Sequence, residues 1–413
     1  MWETIQGPGG STRTPPPPPQ GLRLHDNPAL LAAAANAASL YPVFVLDPRF
    51  ADPAKVGANR YGFLLECLAD LDASLRARRS RLIILRGDPA VVLPAAWKEW
   101  GVNRVAWEAD SEPYAVARDG ALMEAAKAAG VAATQHSSHT LWDPASIVSA
   151  SKGKVPTTYQ GFLKVAATVG PPRAPAGAAP DALPPPTGAP DEPIPSLADM
   201  PMYAGHASTT PFKGGESAGL ARLAAALADP AWVAAFEKPK TDPTAAAPST
   251  TVLSPYLKFG CVSAAEMLAR VRAVLAARGG AHTQPPASLE GQLLWRDFYC
   301  AVAAGTPNYH RQASNGICRQ IPWDSDPAVL AAWAEGRTGF PWRVGRGAWV
   351  ARVRGRAGRA PTPAPPFPRI QDRCGHGPTA RRGLDPPPRP PRRRLLPDQG
   401  APLPVVGGGG GGV

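Results

Sequence analysis

Proline decides where this chain can fold. Fifty-two of its 413 residues are proline, about 13% against a usual ~5%, and a proline cannot donate to a strand ladder and kinks or weakens a helix beyond its first turn. The excess is concentrated in Pro15 to Pro19, in ten prolines between 171 and 195, and in the segment after Trp342. These stretches are expected to be a disordered leader over 1–20, an extended linker within a connecting segment 146–210, and a disordered tail over 343–413. Folded structure is left to 21–145 and 211–342. Hydrophobic residues at 44% suffice for a core there, which excludes collagen-like and wholly disordered classes.

The charge partitions the same way. The net charge is +12, and from Arg343 onward there are fourteen Arg, no Lys and three acids, so +11 of it lies in the last 71 residues. A basic chain invites a nucleic-acid reading when the charge lies on a folded face. Here it lies in a run of Arg, Pro, Gly and Ala, read as a solvated tail whose contact with DNA would be nonspecific and steeply salt-dependent.

Five cysteines (Cys67, Cys261, Cys300, Cys318, Cys374) form no CxxC pair and no metal-ligand spacing with the seven His. They are expected to be buried free thiols in a reducing compartment, with no metal bound. The longest apolar stretch, Ala29 to Leu46, is broken by Asn36 and Pro42 and reads as a helix followed by a buried strand, not a membrane span. The start has no basic n-region and no apolar h-region, so secretion is not expected. Nucleus, cytoplasm or an organelle remain.

Within 21–145 short apolar runs alternate with helical pattern. Tyr41 to Leu46, Arg81 to Leu85 and Arg104 to Trp107 suit buried parallel strands. The clearest helix covers Gly57 to Arg79, where Tyr61, Leu64, Leu65, Leu68, Leu71 and Leu75 form one apolar stripe. This alternation implies an α/β fold with a doubly wound parallel sheet. No GxGxxG follows the first strand, which disfavours a nicotinamide-dependent dehydrogenase. After the linker the strand signals vanish. Helices are expected over Gly215 to Asp229, from Ser254-Pro255, from Ser263 with Glu266 completing a capping box, and over Ser288 to Ala304.

Two helical segments carry chemistry. In Thr250-Thr251-Val252-Leu253-Ser254-Pro255, three hydroxyls precede a helix expected to have Ser254 as N-cap and Pro255 as first residue. Free N–H groups, the positive dipole end and hydroxyls together suit a pyrophosphate, although an ordinary capped helix has the same spacing. In the Ser288 to Ala304 helix, Gln292, Trp295, Arg296 and Tyr299 share one face, an aromatic plate beside a guanidinium and an amide. That face suits a flat phosphate-bearing ligand or an unstacked base; an amphipathic helix with a paired Arg is the plainer alternative.

The blocks Gly21-Leu22-Arg23-Leu24-His25-Asp26-Asn27-Pro28, Arg60 to Leu64, Pro248 to Cys261, Gly291 to Tyr299, Gln320 to Trp323 and Gly336 to Trp342 resemble the photolyase/cryptochrome family, nearest its (6-4) photolyases and animal-type cryptochromes. The resemblance implies an α/β domain bearing an antenna chromophore of folate or deazaflavin type, and a helical domain holding FAD. It implies that Thr250, Thr251, Val252, Leu253 and Ser254 hold the flavin phosphates and that Arg296 lies on the cofactor side. It places Gln292, which also borders the cofactor, with Trp295 and Tyr299 beside the damaged base, and makes Lys238 a substrate contact. The implied activity is blue-light repair of (6-4) photoproducts in ultraviolet-damaged DNA. The alternatives are a photoreceptor signalling through a protein partner and a product without activity.

Two departures qualify that expectation. Where family members have a strand just before the match to Gly21, this chain has Gly7-Pro8-Gly9-Gly10 and the Pro run. The first, central strand of the sheet is therefore expected to be missing, leaving its neighbours' edges open. Beyond Trp342 the family continues with helices that carry its acid histidines and most of the isoalloxazine pocket, and none of that pattern follows here. The catalytic residues are accordingly unassigned, and this chain is expected to hold FAD weakly or not at all. The GC-rich codon usage implied by the tail suggests that 343–413, and 1–20 likewise, are translated from an intron or a shifted frame.

Overall fold

The computed structural model describes residues 21–48, 50, 56–238, 250–322, 326–335 and 337. The expected leader and tail, and Cys374, lie outside them. The chain divides into two compact units, 1–325 and 326–413. In the second, the described part is α12 (Pro327–Glu335) and Arg337.

The first unit begins with α1 (Pro28–Ala34), whose N-cap Asn27 accepts from the Leu30 N–H at 3.0 Å. Strands and helices then alternate: β1 (Val43–Leu46), α2 (Ala58–Arg76), β2 (Ile83–Arg86), α3 (Pro89–Glu99), β3 (Arg104–Glu108), α4 (Pro113–Ala128) and β4 (Ala132–His136). After α5 (Pro144–Ala150) and α6 (Tyr159–Val169) come α7 (Glu216–Leu227), α8 (Pro230–Ala235), α9 (Ser254–Phe259), α10 (Ala264–Arg278) and α11 (Leu289–Ala304). The mixed α/β and helical order agrees with the expected fold class. The whole stripe Tyr61, Leu64, Leu65, Leu68, Leu71 and Leu75 on α2 is buried, and it joins Tyr256, Phe259, Leu268 and Leu293 of the helical segments in one core.

Among the described residues the sheet is split. β1 pairs in parallel with β2 and β3 pairs in parallel with β4, and no ladder joins the two pairs. This is the arrangement expected when a central strand is lacking. A cavity of about 620 Å³ lies between the pairs, lined by Val43 and Phe44 of β1, the whole of β3, and Gly21 at its rim. β4 carries no sequence signal of its own, because AATQH is mostly exposed and lacks the apolar run of a buried strand.

The proline-rich segment 171–195 is extended as expected, but it is no free spacer. Arg173 bonds both carboxylate oxygens of Asp26 at 2.8 and 2.6 Å, the Leu183 N–H donates to the Arg78 carbonyl at 2.8 Å, and Asp191 accepts from Arg76 at 2.5 Å. Ala179 and Leu183 are buried. Proline removes helix and ladder options without preventing side chains and remaining N–H groups from pinning the strap.

Two cap expectations change. Ser263 does cap α10, accepting from the Glu266 N–H at 3.1 Å, but its own N–H donates to His25 Nε2 at 3.3 Å and the Glu266 carboxylate pairs with Arg270 at 2.7 Å. Only half of a capping box forms. At α9 the N-cap is Leu253, not Ser254: the buried Leu253 is already helical at φ −88° and ψ −7°, and its carbonyl accepts from the Leu257 N–H at 2.9 Å. Of the cysteines, Cys67 and Cys261 are buried with their sulfurs 3.3 Å apart, Cys300 is half-buried, and Cys318 is exposed, contrary to expectation. Cys318 follows α11 in a loop outside the core, so nothing covers it. No helix among the described residues is long and apolar enough to cross a membrane.

Candidate functional site

A polar seam joins the α/β and helical segments. The buried Arg23 guanidinium donates to the Asp26 carbonyl at 2.9 and 3.1 Å, the Gly260 carbonyl at 3.1 Å and Ser138 Oγ at 2.8 Å. Asp26 accepts from Arg173, from the Ala176 N–H at 2.7 Å and from the Ser263 hydroxyl. Burial alone would raise the Asp26 carboxyl, but the bonds from Arg173, Ala176 and Ser263 outweigh it and hold the group below its ordinary value. Glu216, at the start of α7, accepts from the Leu24 and His25 N–H groups at 2.8 and 2.9 Å and from His25 Nδ1 at 2.5 Å. Burial pushes it up as well, and the His25 and Leu24 bonds bring it below its ordinary value.

Behind the seam lies His139, whose ring nitrogens have no hydrogen-bond partner among the described residues. Burial, and then the positive charges of Arg296, Lys258, Arg23 and Arg173, hold this ring well below its ordinary value. On α11, Asp297 accepts from the Leu141 and Trp142 N–H groups at 2.7 and 3.2 Å and is pushed up to about 7 by burial, against the opposing pull of Arg296. Sequence patterning did not single out Asp26, His139, Arg173 or Asp297. The signal for Asp26 lay in Gly21 to Pro28, which carried the resemblance without an assigned role.

The chemistry-bearing face of α11 divides in two. Gln292 and Trp295 line a shallow hollow of about 220 Å³ together with Lys238, Pro286 and Ala287. Trp295 is held by stacking, 4.4 Å from the Tyr159 ring and 5.9 Å from Tyr299. The Gln292 amide donates to the Pro286 carbonyl at 3.2 Å, and the Lys238 N–H donates to the Ala287 carbonyl at 3.0 Å, which fixes the two walls to each other. The Lys238 side chain is exposed, and Tyr299 is 55% exposed beside the hollow without lining it. Arg296 turns elsewhere: it donates to the His139 carbonyl and, at 3.4 Å, to the Leu257 carbonyl. Gly291 carries no side chain for a packing reason, since a Cβ there would lie 2.3 Å from the Pro286 carbonyl oxygen.

Thr250 to Ser254 lies apart from the hollow's lining. Val252 sits at φ +50°, a left-handed conformation strained for a β-branched residue. The hydroxyls of Thr250, Thr251 and Ser254 have no partner among the described residues. The helix that follows them has only six residues, under two turns, and adds little dipole of its own, so the open hydroxyls carry the anion chemistry. Residues 288–343 match the family model described as FAD binding domain of DNA photolyase, and residues 19–181 match DNA photolyase.

The chain belongs to the photolyase/cryptochrome family. It is 46% identical over 344 residues to a (6-4)DNA photolyase of Oryza sativa subsp. japonica, covering 78% of this chain and 62% of that one. Against Cryptochrome-2 of Gallus gallus it is 42% identical over 330 residues, covering 78% and 56%. A Synechocystis sp. PCC6803 cryptochrome structure superposes with a TM-score of 0.66 at 25% identity, covering 83% of this chain and 71% of that one. A class III photolyase of Agrobacterium tumefaciens shares the fold, with a TM-score of 0.62 at 22% identity and coverages of 81% and 68%. This photolyase-like chain spans less than two thirds of the length of the curated relatives it matches.

The described residues fit flavin adenine dinucleotide in part. The open hydroxyls of Thr250, Thr251 and Ser254 suit its phosphates. Arg296 is already engaged by two carbonyls, Gln292 opens onto the hollow, and neither cavity described here includes the hydroxyl run. One end of the cofactor therefore has matching donors, and neither of the two cavities joins them to an enclosure for its ring system.

Proposed function

We propose that the hollow formed by Lys238, Gln292 and Trp295 receives a base extruded from ultraviolet-damaged DNA, within a protein of the (6-4) repair type. The observation that carries this reading is the convergence of three unlike groups, from two separate chain segments, on one open depression. Trp295 offers a flat face for a base. Gln292 lies half-buried on the wall beside it, where its amide can meet a base edge. Lys238 adds an exposed point charge for an adjoining phosphate. Selectivity follows because a damaged pair costs less to unstack than an intact one.

When bound, a flavin supplies light-driven electron transfer, and Thr250, Thr251 and Ser254 would hold its phosphates. The tyrosine stack behind Trp295 fixes the plate, so the pocket needs little ordering when a base arrives.

The test is binding of an oligonucleotide bearing one (6-4) photoproduct against its undamaged copy, at several salt concentrations to separate the contribution of the arginine-rich segment. The full chain should prefer the damaged strand at least tenfold, and Trp295→Ala should remove the preference while leaving the salt-dependent background. Equal affinity for both strands would defeat the repair reading. Repair under blue light with added FAD would extend it to catalysis. Lesion-independent binding with light-dependent capture of a protein partner would favour the photoreceptor reading, for which cryptochromes among the relatives are the support.

A further inference from the structure

Two thiols that take no part in the hollow or the seam lie against each other. Cys67 on α2 and Cys261, in the corner between α9 and α10, are 194 residues apart in the chain, and the Cys261 thiol donates to the Cys67 sulfur at 3.3 Å. Both are fully buried. A disulfide bond is about 2 Å long, so joining the sulfurs needs little more than ~1 Å of travel shared between two side chains. Their cover is thin. Residues 213–215 cross α2 over Cys67 with no side chain between: a Cβ on Gly214 would lie 2.9 Å from the Cys67 sulfur and 2.3 Å from the Phe63 carbonyl oxygen. Gly214 is only half-buried and the adjoining Lys213 side chain is 82% exposed, so the main chain of one glycine stands between the sulfur and solvent. Three bonds hold this cover down. The Gly214 N–H donates to Glu66 at 2.7 Å, the Ser217 N–H to Asp70 at 3.0 Å, and the Tyr256 hydroxyl to the Lys213 carbonyl at 2.7 Å. Burial, reinforced by the Cys261 thiol and the Asp70 charge, holds the Cys67 thiol well above its ordinary value, so it stays unreactive while the cover is closed.

We propose that Cys67 and Cys261 form a peroxide-sensitive modification site: hydrogen peroxide reaches the pair when the glycine cover lifts, and the resulting disulfide joins α2 to the corner between α9 and α10. In the first step the Cys67 sulfur attacks one peroxide oxygen. The S–O bond forms, the O–O bond breaks, and the other oxygen leaves as water with the thiol proton, giving a sulfenic acid. In the second step the Cys261 sulfur attacks the Cys67 sulfur. The S–S bond forms, the S–O bond breaks, and the hydroxyl leaves with the Cys261 proton as a second water. Two electrons pass from the sulfurs to the peroxide, and a dithiol reductant reverses the change. The passage runs under a single glycine beside the Glu66 and Asp70 carboxylates, which suits a small neutral oxidant and disfavours a bulky anionic disulfide. Because the second thiol is already in contact, the sulfenic acid is captured as it forms. The link closes a long loop and so restricts the unfolded chain strongly.

The experiment treats the full native chain with hydrogen peroxide, stops the reaction by unfolding in an alkylating reagent, and maps the digest by mass spectrometry. A linked pair of peptides carrying Cys67 and Cys261 is expected, lighter by two hydrogens than the free pair and separated by dithiothreitol. The linked chain should unfold in urea at least tenfold more slowly than the reduced one. Cys261→Ser should abolish the link and leave a sulfenic acid on Cys67 that dimedone traps. Glu66→Ala, which releases the Gly214 N–H, should speed linkage severalfold in the folded chain. The proposal is overturned if peroxide oxidises the exposed Cys318 while Cys67 and Cys261 remain fully open to alkylation, or if the link forms only after the chain has been unfolded in urea.

Discussion

The seam and the gap between the two strand pairs lie a few residues apart at Gly21, yet they treat their polar groups in opposite ways. In the seam, Arg23, Asp26, Arg173, Glu216, His25 and Ser263 bond to one another and to nearby main-chain groups. In the gap, the main-chain groups of β1 and β3 that face away from β2 and β4 have no backbone partner among the described residues. The hollow on α11 stands between these extremes, its walls fixed to each other and its Lys238 side chain free to meet something else. Charged side chains that already satisfy one another hold the chain together; the hollow's open groups are where a substrate fits.

Breaking the seam should have the largest effect. Asp26→Ala strands the Ala176 N–H, leaves the Arg173 guanidinium without its carboxylate and with weaker partners, among them the Thr140 and Ser138 carbonyls, and should cost about 3–5 kcal/mol, read from urea unfolding at pH 7. Because the Asp26 and Glu216 carboxyls are held below their ordinary values, their stabilisation is present above the unfolded-state range and is lost as pH falls through their folded values. The variant should therefore have a shallower acid limb than the native chain. An unchanged midpoint would mean that the seam is decoration.

Gly291→Ala sharpens the hollow. An alanine inside a helix ordinarily gains about 1 kcal/mol over glycine. Here the added Cβ would lie 2.3 Å from the Pro286 oxygen, so the sign should reverse, with a net loss of about 1–3 kcal/mol and weakened discrimination of damaged DNA. A stabilised variant would show that the wall of the hollow yields freely.

Asp297 should run opposite to Asp26. Burial raises its carboxyl to about 7, so between its unfolded value near 4 and pH 7 the folded chain binds the extra proton, and stability rises as pH falls through that window. Asp297→Asn keeps an acceptor for the Leu141 and Trp142 N–H groups. It should remove this component, at most about 1.4 kcal/mol per pH unit, as seen by comparing urea midpoints at pH 6 and 8. The smallest change in stability should come from Lys238→Ala, within about 0.5 kcal/mol for an exposed residue, while affinity for the lesion strand falls severalfold. An unaltered affinity would remove Lys238 from the hollow's function.

Much of this contrast was legible in the residues, unevenly. β1, β2 and β3 declared themselves because buried parallel strands are apolar runs, and α2 because its stripe is regular. β4 was invisible because its exposed edge needs no apolar run. The open gap followed from the prolines before Gly21. The strap over 171–195 was legible as extended and illegible as packed, since proline content reports backbone options and says nothing of what Arg173 or Leu183 will touch. The seam escaped reading because its partners are single charged residues separated by up to 238 positions, a pairing that no local pattern encodes. Lys238, Gln292 and Trp295 were expected on resemblance to face the substrate, and the structure brings them to one hollow. Arg296 was grouped with them by helical spacing, and the carbonyls of His139 and Leu257 draw it away.

Asp26 has one further consequence, in the order of events at the ribosome. Its carboxylate waits for Arg173 and then Ser263, so the N-terminal knot cannot be tied until most of the first unit has been synthesised. At about 5–20 residues per second that interval is roughly 13 to 50 s. Throughout it residues 21–28 lack the ties that later hold them to the 171–195 strap and to the start of α10.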